Sequence, residues 1–205
     1  MNIQKLFDTQ KVLRDRIGYK GADRFEKLIL ALLVEIGECA NEWRGFKFWS
    51  KDQEPRISKW ELKKEYQHLH ISQTGAYEYQ LRDEYGNIVF DDVTDHHHDH
   101  KNPLLEEYVD GLHFVLEIGL EHGYDIDLRN QETFPEASKR KTITKQFTKL
   151  FSIKWERDIG YQNNYMQGLE LYIGLGEMLG FTWEEIETAY FDKNKVNHVR
   201  QDTGY

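Results

Sequence analysis

Cys39 is the single cysteine in 205 residues, so no internal disulfide can staple the chain. It lies inside a run of Leu, Ile, Ala and Val, where it reads as a small buried hydrophobe rather than a reactive thiol. Basic residues are also scarce: 27 Lys and Arg stand against 36 Asp and Glu, for a net charge of −9. A chain of that balance lacks the basic patch that neutralises the phosphates of DNA or RNA. This excludes a nucleic-acid polymer as partner but not a nucleotide held through metal ions. The longest apolar run is too short to span a bilayer and does not sit at the extreme N-terminus like a signal peptide. The cytoplasm is therefore the expected compartment, with no membrane partner. No internal repeat is visible, and the length suits one domain, 1–205, with a core of its own.

What the chain does have is helical periodicity. Ile3, Leu6, Phe7, Gln10, Leu13 and Ile17 recur at spacings of three and four, which predicts an amphipathic helix ending near Gly18. Asp23 and Glu26 fit a capping box for a second helix running to about Phe48. On that helix Leu28, Leu32, Ile36, Cys39 and Trp43 share one side, while Leu30 and Val34 fall nearly opposite. An element apolar on both sides is expected to be interior. Pro103 fits the first turn of a third helix, from about Leu104 to His122. Residues 125–135 read as a loop, 142–155 as a moderately amphipathic helix and 165–179 as a further one, whose glycines allow close packing. The last helix opens with a Thr182–Glu185 capping box.

Residues 52–102 break this pattern and read as an insertion. Within it, alternation on either side of Tyr85, Gly86 and Asn87 predicts a small β-hairpin over 76–90. The histidine tract at 96–100 reads as a solvated loop rather than a specific metal site, because adjacent histidines cannot all face one ion unless the chain curls round it.

Acids interrupt the apolar helices at regular places. Glu35, Glu38 and Glu42 form one stripe, and Glu107 and Asp110 sit one turn apart on the third helix. Like charges in a dry place persist only when protonated, paired or bound to a cation. If the two helices pack antiparallel, Glu35, Glu38, Glu107 and Asp110 converge on an oxygen-only site that suits Mg²⁺ or Mn²⁺, and hence a polyphosphate substrate attacked by a metal-activated water. The alternative reading pairs the same acids with Lys or Arg, or leaves them at a helix–helix rim in water. On the last helix Tyr190, Lys193, Asn197, Arg200 and Gln201 share a side and could form an anion-binding surface, with Lys193 and Arg200 stabilising charge as the phosphates react.

The pairs Glu35-x-x-Glu38 and Glu107-x-x-Asp110, the segment FKFW at 46–49 and the closing run KNKVNHVRQDTGY at 193–205 together resemble the dimeric all-α dUTPases, relatives of the MazG-type pyrophosphohydrolases. The resemblance implies an all-α fold: a helical bundle with a four-helix metal-binding core, here with a small β-hairpin insertion. It implies hydrolysis of dUTP, and of dUDP, to dUMP, with pyrophosphate released from the triphosphate, in a homodimer. Glu35, Glu38, Glu107 and Asp110 would hold Mg²⁺, and one of them would take the proton of the attacking water. Lys193 and Arg200 would contact phosphate, Asn197 and Tyr205 the sugar, and Gln10 and Trp49 the uracil. Glu106 could replace Glu107 as a partner for Asp110, but the family spacing selects Glu107. A relative acting on dCTP or a damaged nucleotide, or a non-catalytic scaffold of the same fold, is the competing expectation.

Overall fold

The computed structural model describes residues 2–75, 78–129, 135–156 and 164–204. The chain divides into a helical unit, residues 1–56 and 104–205, and a smaller unit, residues 57–103. Among the described residues the helices are α1 (Ile3–Ile17), α2 (Arg24–Trp43), α3 (Pro103–His122), α4 (Tyr124–Arg129), α5 (Ile143–Phe151), α6 (Asn164–Met178) and α7 (Trp183–Thr203). The fold is all-α, with a small β region confined to the insertion.

α1 ends where the periodicity predicts, at a left-handed Gly18. α2 departs from expectation in three ways. Its capping box does not form, because the Asp23 carboxylate instead accepts from the Tyr19 hydroxyl at 2.6 Å and pairs with Lys27 at 2.8 Å. The helix stops at Trp43 rather than Phe48, where Arg44 turns left-handed and spends its guanidinium on Asp52. Finally, α2 is buried on one face only: Leu32, Ile36 and Cys39 are in the core, whereas Leu30 is 64% exposed.

α2 and α3 run antiparallel. Phe25, at the start of α2, packs on His122, at the end of α3, with ring centroids 4.9 Å apart. At the other end the backbone of Arg56 links Glu42 to Leu104 through hydrogen bonds of 3.0 Å. The same two bonds close the chain across the foot of the insertion, so a whole unit is accommodated between Arg56 and Leu104 without opening the helical core.

α3 is locked to α6 by tyrosines that reach across to backbone carbonyls. Tyr172 donates to the Tyr108 carbonyl at 2.7 Å, Tyr108 donates to the Tyr172 carbonyl at 3.1 Å, and Tyr165 donates to the Val115 carbonyl at 3.2 Å. As numbers climb along α3 they fall along α6, so these helices are antiparallel too. Gly111 and Gly119 make the approach possible: a Cβ at either would collide with the hydroxyl of Tyr172 or Tyr165. On α6 the expected close packing is present, with Trp155 against Gly168 and Tyr108 against Gly176.

Residues 125–129, expected as loop, belong to α4, while 130–134 lie outside the described residues. α5 is shorter than predicted, ending at Phe151. α7 opens on the predicted Thr182–Glu185 capping box.

In the smaller unit, β2 (His70–Gln73), β3 (Tyr79–Arg82) and β4 (Ile88–Phe90) form an antiparallel sheet in that order. The β3–β4 hairpin is the one predicted, its turn held by Asp83 accepting from the backbone N–H groups of Tyr85 and Asn87. A second pair, β1 (Lys59–Leu62) with β5 (His98–Lys101), was not legible in the sequence. The histidine tract is consequently not a loop. It forms a short 3-10 turn over Asp95–His97 and then β5, and His97 is buried against Phe90 and Tyr66. Once its ring fills an aromatic cluster and Nδ1 accepts from the Thr94 N–H at 3.1 Å, His97 is a core residue.

Candidate active site

The antiparallel pairing of α2 and α3 sets Glu35 against the Asp110–Gly111 step, where a Cβ at Gly111 would lie 3.5 Å from Glu35 Cβ. Glu35, Glu38 and Glu107 each bring a carboxylate oxygen within 4.8 Å of the others. Glu35 and Glu107 are half-buried, whereas Glu38 is exposed, so the stripe lies at a wet edge rather than in a dry interior. Glu42 has left the cluster and pairs with Arg56 at 3.0 Å. Glu106 is exposed on another side of α3.

The electrostatics show what the cluster lacks. Burial, then the Asp110 and Glu38 carboxylates, push the Glu35 carboxyl up to about 7, against the pull of Lys193. Burial, then Asp110, Glu38 and Glu35, raise Glu107 to about 7 in the same way. Burial also raises Asp110, opposed by Lys193, whose Nζ lies 2.5 Å from its carboxylate, and by Arg200. Among the described residues Lys193 is ion-paired with one of the four acids, Asp110, and the other three present converging oxygens. An all-oxygen set of this kind fits a hard divalent cation such as Mg²⁺ or Mn²⁺.

Beside the cluster is a cavity of about 490 Å³, the size of a nucleotide-scale ligand. Asp110, His113 and Glu117 line it at successive turns of α3, a length of roughly 10 Å at 1.5 Å per residue. Glu35 belongs to both the acid cluster and the cavity wall. Lys193, Asn197 and Arg200 of α7 line the cavity, so the cations expected to meet phosphate stand beside the acids expected to hold metal.

Deeper in, Gln10 of α1 is held at both ends of its amide. Its Nε2 donates to Glu117 at 3.0 Å, and its Oε1 accepts from the Tyr190 hydroxyl at 2.9 Å and faces His113 Nδ1 at 2.8 Å. Glu117 is itself ion-paired with Arg24 and with Arg14. His113 stacks on Tyr190 with centroids 4.2 Å apart, and burial, then Lys193, pull its imidazole down to about 3, so it is neutral.

A family model described as dUTPase matches residues 2–96 and 94–205, which together span the chain. The chain belongs to the dUTPase family. It is thus an enzyme of dUTP hydrolysis with a nucleotide substrate. No curated protein matches it. Among the described residues, no helix is long and apolar enough to cross a membrane.

In this dUTPase the expected site residues divide into three groups. Gln10, Glu35, Asp110, Lys193, Asn197 and Arg200 all line one cavity, with Glu38 and Glu107 joining Glu35 at its edge. Trp49 does not join them: it is 65% exposed, packed edge-on against Phe46 and Phe48. Tyr205 lies outside the described residues. Tyr190, assigned to an anion-binding stripe, is instead buried with its hydroxyl turned to α1. The sequence reading missed His113, Glu117, Arg14 and Arg24. The position of His113 one turn beyond Asp110 was a usable signal, but nothing in the chain announces that α1 will deliver Gln10 to it.

Proposed function

We propose that the cavity binds dUTP or dUDP and hydrolyses it to dUMP, releasing pyrophosphate from dUTP and phosphate from dUDP. The observation that carries this reading is the set of carboxylate oxygens on Glu35, Glu38 and Glu107 within 4.8 Å of one another, at the rim of a cavity whose other wall carries Lys193 and Arg200. These three with Asp110 would hold Mg²⁺, or Mn²⁺ in its place, which would supply counter-charge for the phosphates and lower the pKa of a bound water. Lys193 and Arg200 offset charge that builds on the phosphates during displacement, Lys193 by exchanging Asp110 for a phosphate oxygen. One carboxylate of the cluster takes the proton of the attacking water. Asn197 faces the sugar and Gln10 the base. The working unit is a homodimer in the cytoplasm. Leu30 and Val34, both exposed and one turn apart on the outer face of α2, support this reading as aliphatic side chains that a second copy could cover. In such a dimer Trp49 and Tyr205 complete a pocket from beyond the walls described above.

A substrate panel in Mg²⁺, with pyrophosphate and monophosphate detected separately, tests the proposal. Preference for dUTP over dCTP and dTTP is expected, and a flat profile points instead to a general clearing activity. Glu38→Gln should lose at least about a hundredfold in kcat, the scale of removing an essential charge from a metal site, with unchanged circular dichroism. Wild-type turnover in that variant removes the acid cluster from the chemistry.

A further inference from the structure

β1 and β5 pair so that Trp60 stands opposite His100 and Leu62 opposite His98. Side chains alternate along a strand, so His98 and His100 project from one face of this ribbon and Asp99 from the other. The two faces differ in kind. One carries Lys59, Glu61 and Lys101, ion-paired among themselves at 2.5 and 2.7 Å. The other is aromatic, with the Trp60 ring 6.3 Å from that of His98 and 4.9 Å from that of His100. Both imidazoles are anchored through one nitrogen. His98 Nδ1 lies 3.2 Å from the Thr94 carbonyl oxygen, which only accepts, so Nδ1 carries the hydrogen and the neutral ring keeps a bare lone pair on Nε2. His100 Nε2 lies 2.8 Å from the Ser58 hydroxyl, and when that hydroxyl accepts, the lone pair of His100 is on Nδ1. An imidazole tied down by one nitrogen with the other open is the arrangement in which histidine ligates metal.

We infer that His98 Nε2 and His100 Nδ1 form a two-histidine site within the insertion for a borderline divalent ion of the Zn²⁺ and Cu²⁺ class. Adjacent histidines cannot share an ion on an extended chain, but alternate ones can. Residues two apart on a strand are separated by about 7 Å, a span that two rings leaning together close around one ion at metal–nitrogen distances of about 2.0–2.1 Å. The donors also decide which ion enters. Imidazole nitrogen suits Zn²⁺ and Cu²⁺ and is a poor partner for Mg²⁺, which takes oxygen, so this site and the acid cluster select different metals from the same solution. Water fills the coordination positions that the two rings leave open. His97 takes no part, because its Nδ1 accepts from the Thr94 N–H and its ring is packed between Phe90 and Tyr66.

The test uses the full chain, stripped with chelator and then held in excess Mg²⁺ so that the acid cluster is occupied. Zn²⁺ titrated by calorimetry should bind one per chain at this site. Cu²⁺, a paramagnetic quencher, should dim tryptophan emission saturably, and Trp60→Phe should remove that quench while leaving Zn²⁺ affinity unchanged. His98→Asn and His100→Asn should each weaken Zn²⁺ by at least about tenfold. His96→Asn, outside β5, and Glu38→Gln, in the acid cluster, should not. Since a variant could lose the ribbon itself, nitrogen-15 spectra of the unaltered protein give a second reading: Zn²⁺ should shift Nε2 of His98 and Nδ1 of His100 and leave His97 in place. Zn²⁺ affinity kept in both β5 variants, an equal loss in Glu38→Gln, or unmoved His98 and His100 signals overturns the inference. Weak binding spread evenly over the histidines does so too, as an adventitious ion only.

Discussion

Glu35 and Glu107 are carboxyls held near neutrality by their surroundings, and this gives the protein a pH signature. Their folded pKa values, about 7, lie above the ordinary 4.5, so between those limits the folded state holds more protons than the unfolded one. In that window stability of the metal-free protein falls as pH rises, with the penalty complete above the folded values. A divalent cation reverses the sign, because it binds only the deprotonated oxygens. We expect thermal unfolding in chelator to show a higher midpoint at about pH 5.5 than at about pH 8, and the midpoint gained on adding Mg²⁺ to grow over the same range. Glu35→Gln should flatten both trends. A Mg²⁺ gain independent of pH would contradict the site.

At the scale of the element, the position of the acids depends on how closely α3 approaches its neighbours. Gly111 follows Asp110 directly, lies against Glu35 of α2 and takes the Tyr172 hydroxyl of α6 on its bare Cα. Gly111→Ala retains helix propensity, and even improves it, so any loss must come from packing. The tyrosine must leave its hydrogen bond to the Tyr108 carbonyl or push α6 away. The expected cost is about 1–3 kcal/mol, or several degrees in the unfolding midpoint of a chain this long. Mg²⁺ response should fall with it. A more stable variant with an intact Mg²⁺ response would show that helix propensity outweighs the close approach.

For the whole molecule, the exposed apolar face of α2 is the feature a single helical unit does not explain. Leu30 and Val34 share the helix with the acid cluster but face away from the core residues Leu32 and Ile36. If a second copy covers them, Leu30→Glu should shift the sedimentation behaviour from dimer to monomer at micromolar concentration, with helical content kept. An unchanged dimer would move the interface elsewhere. The insertion is a different case. Its chain ends meet through the Leu104 N–H and the Arg56 carbonyl, so it adds a unit without interrupting α2 or α3.

Local pattern by itself determined the helices, because their apolar spacing and their caps are written within a few residues: α1 to its last turn, Pro103 at the head of α3, the Thr182 box of α7 and the Asp83–Asn87 hairpin turn. The two acid pairs were legible for the same reason, as charges where periodicity calls for apolar groups. The tertiary structure alone decided what each residue faces. It turned Asp23 from cap to partner of Tyr19, took Tyr190 into the core, made His97 a packing residue, exposed Leu30 and left Trp49 away from the cavity walls. It also joined Gln10 to His113 and Glu117, each more than a hundred positions away, into one hydrogen-bond network. Periodicity constrains which side of one helix is apolar, but the partner of a polar atom is set by the packing of several helices at once.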